Sequence, residues 1–205
     1  DPQPISVVEL GMARFLIIVT VGRAQAQGPE VVRLLNQEVK KRVDEGFGVV
    51  EKGAPKIVMT ITNFVDPTVT HMIEACGLAI PTTFLMAPFR GLLEHQPSYT
   101  DPGERVAEWE LKLGMFHTPF AIVMRVAEVI EDTHAEGIIF NYLYSCRPNA
   151  VASHYVKTYV EGKVGTPVLS LETDCYDTRS YSAGFLRSRV EPYAEMLRAR
   201  KAAKV

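Results

Sequence analysis

Between Gly137 and Thr178 the chain reads GIIFNYLYSCRPNAVASHYVKTYVEGKVGTPVLSLETDCYDT. An apolar run, Ile138 to Tyr144, stops abruptly at Ser145-Cys146-Arg147-Pro148. An amphipathic segment follows, and a second apolar run, Pro167 to Leu171, ends in Glu172-Thr173-Asp174. This is the pattern of a strand–helix–strand unit, and it constrains the fold more than any other stretch. Two strands joined through a helix are parallel neighbours, and parallel strands need helices on both faces. The rest of the chain agrees with that pattern. KIVMTITNF, Lys56 to Phe64, is a short apolar run entered through Gly53-Ala54-Pro55, and Leu78 to Met86 is a second run interrupted by Pro81. Four such runs separated by helical segments predict an α/β fold. Its form is three-layered, with a roughly four-stranded parallel sheet flanked by helices.

Helical segments fill the intervals. Pro29 after Gly28 suits a first helical position, and Val31, Leu34, Leu35, Val39 and Val43 recur at helical spacing until Gly46-Phe47-Gly48. Residues 1–28 predict a buried helix. Further helices are expected from Asp66-Pro67 to Cys76, over Glu104–Phe116, from Pro119 to Glu136 behind Thr118 as cap, and over Asn149–Gly162. A final helix starts near Ser182, with Leu186, Val190, Tyr193 and Leu197 on one side. Its basic tail, Arg198 to Lys204, is expected to fray. Ala87 to Gly103 reads as a long excursion holding His95, Tyr99 and Asp101.

Composition bounds the function. A net charge of −2 offers no basic excess for nucleic acid or an anionic membrane. The densest apolar run, Phe15 to Val21, is too short to span a bilayer. Three cysteines make a poor disulfide framework, so a reducing cytoplasm is the expected compartment. No glycine-rich phosphate loop follows any strand, which removes the simplest nucleotide-binding readings.

Ligands of open parallel sheets bind at the carboxyl ends of the strands. Cys146 stands there, just past a strand and just before a helix. Helix amides and Arg147 favour a thiolate at such a position, the form that binds metal or attacks an electrophile. The plain alternative is a small apolar packing residue. Cys76, next to Gly77, reads as packing, and Cys175 matches no metal spacing. No pair among His71, His95, His117 and His154 has metal-ligand spacing. Any metal at Cys146 therefore needs ligands from elsewhere. Asp174, Asp177 and Arg179 form a polar cluster after the last strand, either a capping loop or a charged wall beside Cys146. Asn63 and Phe64 occupy the equivalent rim after the first strand.

Taken together, IFNYLYSCRPNA, GTPVLSLETDCYDTRSYS and LRSRVEPYAEML resemble the C-terminal part of the 2-hydroxyacyl-CoA dehydratase and benzoyl-CoA reductase family. The match runs over about the last 70 residues. The helix RLLNQEVKKRVDEGFG and the Lys-Ile-Val-Met strand also fit. The resemblance implies a subunit of an oxygen-sensitive dimer with a [4Fe-4S] cluster held by three cysteines between flavodoxin-like domains. Its implied partners are a second homologous subunit, an ATP-dependent iron–sulfur activator protein and an acyl-CoA substrate, with no nucleic acid and no membrane. In the dehydratases, one-electron activation allows radical loss of water from an (R)-2-hydroxyacyl-CoA; in the reductases, electrons enter an aromatic ring. Carried over by position, Cys146 matches a cluster ligand; from their place on the strand-end rim, not from the family's pattern, Asn63, Phe64, Ser145, Asp174 and Arg179 are candidate substrate contacts. The chain opens at Asp1 rather than Met. That start decides nothing by itself, but the family's other two cluster ligands lie in an N-terminal domain that nothing in this chain resembles, so the resemblance implies a C-terminal half, with residues 1–50 linking to an upstream domain and residues 51–205 forming the cluster-facing α/β domain. A non-catalytic flavodoxin-like scaffold or an acyl-CoA-binding module remains the competing reading.

Overall fold

The computed structural model describes residues 2–22, 26–60, 67–84, 98–113, 118–174, 177, 179 and 182–203. Four strands, β1 (Lys56–Met59), β2 (Ala79–Thr83), β3 (Gly137–Leu143) and β4 (Val168–Thr173), form one sheet in the order β2-β1-β3-β4. Every pairing is parallel. The helices are α1 (Val7–Gly22), α2 (Gly28–Asp44), α3 (Pro67–Ala75), α4 (Pro102–Leu113), α5 (Pro119–Thr133), α6 (Arg147–Tyr159) and α7 (Ala183–Ala202), with a π-turn at Val160–Val164 closing α6.

The layering follows from alternation along the strands. Ile57, Met59, Ile139 and Leu171 face α1, α3 and α7, where Val7, Ile73, Leu186, Val190 and Leu197 complete one core. Val58, Ile138, Phe140 and Val168 face α5 and α6, against Val123, Val126, Ala152 and Val156. Burying each of these larger side chains contributes about 1.5–3 kcal/mol. The chain therefore has the three-layer, flavodoxin-like α/β arrangement. The connection β1–α3–β2 lies on one face and β3–α6–β4 on the other. Right-handed crossovers require that when winding reverses direction. The reversal places the switch point between β1 and β3.

Edge strand β2 explains Pro81. A register shift falls between its pairings with Lys56 and Val58, and Pro81 sits in that bulge, where the missing amide breaks no ladder bond. Helix ends follow local chemistry. Thr118 accepts from the Ala121 amide at the start of α5, and Ser182 does the same for Phe185 at α7. Ser182 is thus the cap of the last helix. Asp101, expected in the long excursion, is instead a helix cap: its carboxylate takes the amides of Gly103 and Glu104. Residues 87–97 of that excursion, with His95, lie outside the described residues, while Tyr99 is exposed and Ser98 bonds to the Glu108 carboxylate.

Two expectations are corrected. The first helix forms but is only partly buried: Val7 and Ala13 are buried, while Met12, Phe15 and Leu16 stand out from it. The last helix does not end at a frayed Arg198; it continues to Ala202, held by Lys201 on Glu136 at 2.9 Å. The N-terminal segment is tied to the sheet. Gln3 donates to Glu74 and accepts from the Ile80 amide, and Glu74 also takes the amide of Val7 at the start of α1.

The amino-terminal end of the sheet is locked. Tyr193 of α7 is buried, and burial pushes its hydroxyl above the ordinary tyrosine range. That hydroxyl donates to the Pro167 carbonyl at 2.7 Å and accepts from the Ile138 amide at 2.8 Å. Gly137 makes room for it: a Cβ there would lie 2.5 Å from the Tyr193 oxygen and 2.8 Å from Leu197. Glu136 takes the Lys56 amide, and Glu161 takes the Val168 amide.

Candidate functional site

At the other end of the sheet, β3 runs out at Leu143 and the chain turns. The Cys146 amide donates to the Leu143 carbonyl at 3.0 Å, closing a four-residue turn with Tyr144 and Ser145 at its centre. Cys146 then occupies the N-cap position of α6, and its own carbonyl accepts from Ala150 at 2.9 Å. A serine or aspartate at that position would accept a helix amide and stabilise by about 1 kcal/mol. The Cys146 side chain makes no cap hydrogen bond. It is half-buried, with extended backbone (φ −87°, ψ 91°).

The rim around Cys146 is polar. Tyr144 pairs across to Thr173, with its amide on the Thr173 carbonyl at 2.9 Å, so Ser145 and Asp174 stand at the same end of adjacent strands. Ser145 is exposed and Asp174 half-buried. Each strand carries a buried polar residue toward this end: Thr60, Thr83, Asn141 and Thr173. Sequence reading passed over Thr60, Thr83 and Asn141 because each sits inside a run that reads as apolar, and it took Thr173 only as part of the polar end of the last strand.

Arg179 does not form a free wall beside Cys146. Its guanidinium grips the Asp177 carboxylate at 2.8–3.2 Å, and that contact holds the Asp177 carboxyl below the usual range. Asp174 in turn accepts the Asp177 amide at 3.3 Å. Asn63 and Phe64 lie outside the described residues, as do Cys175 and His117.

The remaining candidates are structural. Cys76 touches Met72 sulfur at 3.9 Å, and burial pushes its thiol up. His71 lies 3.6 Å from Glu74, and His154 packs edge-on against Tyr155. A groove of about 760 Å³ lies at the amino end of the sheet. Two of its charged residues are engaged, Arg198 on the Cys76 carbonyl and Lys201 on Glu136.

Among the described residues, the donor at this end of the sheet is a single thiol, which alone cannot complete a metal site. Cys146 offers an accessible sulfur, and among the described residues no three His, Cys, Asp or Glu side chains group to hold a metal. No described helix is long and apolar enough to cross a membrane.

Two comparisons bear on this site. The sequence profile of 2-hydroxyglutaryl-CoA dehydratase, D-component, matches residues 1–197. One of the subunits of benzoyl-CoA reductase from Thauera aromatica is 23% identical over 209 residues, covering 96% of this chain and 48% of that protein. The chain thus spans about half the length of this curated relative.

Proposed function

Because the chain belongs to the 2-hydroxyglutaryl-CoA dehydratase D-component family, we propose that it is the cysteine-bearing α/β part of an acyl-CoA dehydratase component. The reaction is radical loss of water from an (R)-2-hydroxyacyl-CoA after one-electron activation. The observation that carries this reading is Cys146 itself. It is a half-buried thiol at the strand end beside the switch point, in a helix-cap position that it does not use as a cap.

Cys146 would hold one iron of a [4Fe-4S] cluster, which when bound supplies one-electron chemistry. Residues outside the described ones would supply the other thiolates. This chain's own share is positional. The turn through Tyr144 and Ser145 fixes where the sulfur stands, and the first amides of α6 face the same rim, favouring negative charge there. Ser145 and Asp174 would contact the substrate from β3 and β4, and Asn63 and Phe64 from the β1 side. Arg179 joins them only by leaving Asp177. Residues 1–50 would link to a further domain, and residues 51–205 would face the cluster. The partners would be a second homologous subunit and an ATP-dependent iron–sulfur activator, in the cytoplasm.

Similarity to a component of benzoyl-CoA reductase supports a second reading, electron delivery into an aromatic acyl-CoA. Incubation with a 2-hydroxyacyl-CoA and with an aryl-CoA, each with reductant and activator, separates the two: enoyl-CoA marks the first and a dearomatised ring the second. The test of the site is Cys146→Ser in the full polypeptide made without oxygen. Loss of the broad iron–sulfur absorption and of bound iron is the expected result; an unaltered cluster overturns the assignment.

A further inference from the structure

Strand β4 forms one border of the sheet, with β3 on its inner side. In a parallel pair, alternate residues turn their amide and carbonyl toward the neighbouring strand, and the others turn theirs away. The Ile138 amide bonds to the Pro167 carbonyl and the Tyr144 amide to the Thr173 carbonyl, so the odd-numbered residues of β4 serve β3. Val168, Ser170 and Glu172 therefore present their amides and carbonyls outward. The first of these amides is guarded, since the Glu161 carboxylate takes it at 3.0 Å. Beyond it, no described residue bonds to the outward amides and carbonyls of Ser170 and Glu172. Ser170 is half-exposed and Glu172 exposed. The Glu172 carboxylate is drawn inward: it accepts from the hydroxyl of Tyr142, its partner on β3, at 3.2 Å.

From this geometry we infer that β4 is a self-association surface: a second copy of this chain adds its own β4 antiparallel, and the two sheets run on as one. The occupant follows from what is left open. Glu161 closes the border at Val168, so a strand can be added only over Ser170 and Glu172. In an antiparallel pair, residues facing each other at a hydrogen-bonded position exchange both bonds. With a twofold axis at Leu171, Ser170 of each chain faces Glu172 of the other. All four outward groups of Ser170 and Glu172 in each chain are then met, and Glu161 keeps its amide. The side chains agree, because Glu172 meets a hydroxyl and Leu171 meets its own copy. An axis at Ser170 would set Glu172 against Val168, whose amide is taken, and an axis at Glu172 would oppose two carboxylates. The contact is isologous and short, so the dimer is weak and depends on concentration.

The test uses the full polypeptide in reduced form and reads no activity. Sedimentation velocity from low to high concentration is expected to show a reversible monomer–dimer equilibrium. Hydrogen exchange resolved to single amides is followed at both ends of that range. The Ser170 and Glu172 amides should slow as dimer forms, while the Leu171 amide, which faces β3 in either state, should keep its rate. Ser170→Pro removes an outward amide and breaks no bond to β3. It should weaken dimerisation by about tenfold or more, since each dimer loses two hydrogen bonds. Ser170→Ala keeps the amide and should dimerise like the parent. A monomer at every concentration overturns the inference. So does a dimer in which Ser170 and Glu172 exchange as fast as in the monomer, because the contact then lies elsewhere. So does a folded Ser170→Pro variant that dimerises like the parent. Slow exchange of the two amides at every concentration marks a strand supplied from within the polypeptide and overturns the second copy. The exchange measurement needs no variant, so it decides even if the proline variant fails to fold. None of these outcomes depends on the reading of Cys146.

Discussion

The two ends of this sheet are built on opposite principles. At the amino end, side chains tie the strands together: the Tyr193 hydroxyl bonds across β3 and the entry to β4, and Glu136 and Glu161 cap strand amides. At the carboxyl end the strands finish in small polar groups, an exposed Ser145 and a half-buried thiol. The first end holds three layers together; the second leaves groups accessible at some cost in helix capping. The contrast separates what stabilises from what serves chemistry within one set of strands.

Substitutions at the two ends should therefore fail differently. The largest effect on stability is expected at Gly137. Valine there drives its Cβ into Tyr193 and Leu197, costing about 3 kcal/mol in urea unfolding. Tyr193→Phe comes next. It removes the hydroxyl from the Ile138 amide and the Pro167 carbonyl, which still bond each other at 3.0 Å, and should cost about 0.5–1.5 kcal/mol, with Cys146 alkylation of the folded protein unchanged. Altered Cys146 reactivity in that variant would break the separation of the two ends.

Cys146→Ser should invert the pattern. Serine can accept a helix amide, so melting should be unchanged or stabilised by up to about 1 kcal/mol while iron binding is lost. Marked destabilisation would place Cys146 with the locking residues.

The smallest effect lies away from both ends. Burial acts to raise the Glu9 carboxyl, but the Ser6 amide and the Arg42 guanidinium outweigh it, and the folded value is lowered. A lowered value means that this contribution is present above the unfolded-state carboxyl range and is lost as pH falls through the folded value. Glu9 is partly exposed, so solvent screens the pair. An Arg42→Gln variant should differ from the parent slightly near neutrality and converge with it in acid.

What was legible in the sequence was local or periodic. The four strands could be read because both faces of each are buried, and the α7 stripe of Leu186, Val190, Tyr193 and Leu197 could be read from its spacing. The start of α1 was legible and was missed. Ser6 and Glu9 form a reciprocal capping box, each side chain on the other's amide at 3.1 and 2.9 Å. The exposure of Met12, Phe15 and Leu16 was not legible, because apolarity does not say whether a partner surface is present. Cys146 was found from its position after an apolar run. The bond from the Thr60 hydroxyl to the Asn141 carbonyl could not be, since the two residues lie 81 apart. Nothing near Thr60 in the chain marks that pairing.

The bulge at Pro81 also bears on how this molecule behaves in concentrated solution. An open sheet edge invites another chain to add a strand, the first step toward fibrils. On the outer side of β2, Pro81 has no amide to offer, and Gln3 already occupies the amide of Ile80. An N-terminal segment that reads as a mere lead-in to α1 thus shields a sticky border. Trimming it through Gln3 should show first as light scattering and only later as lost secondary structure.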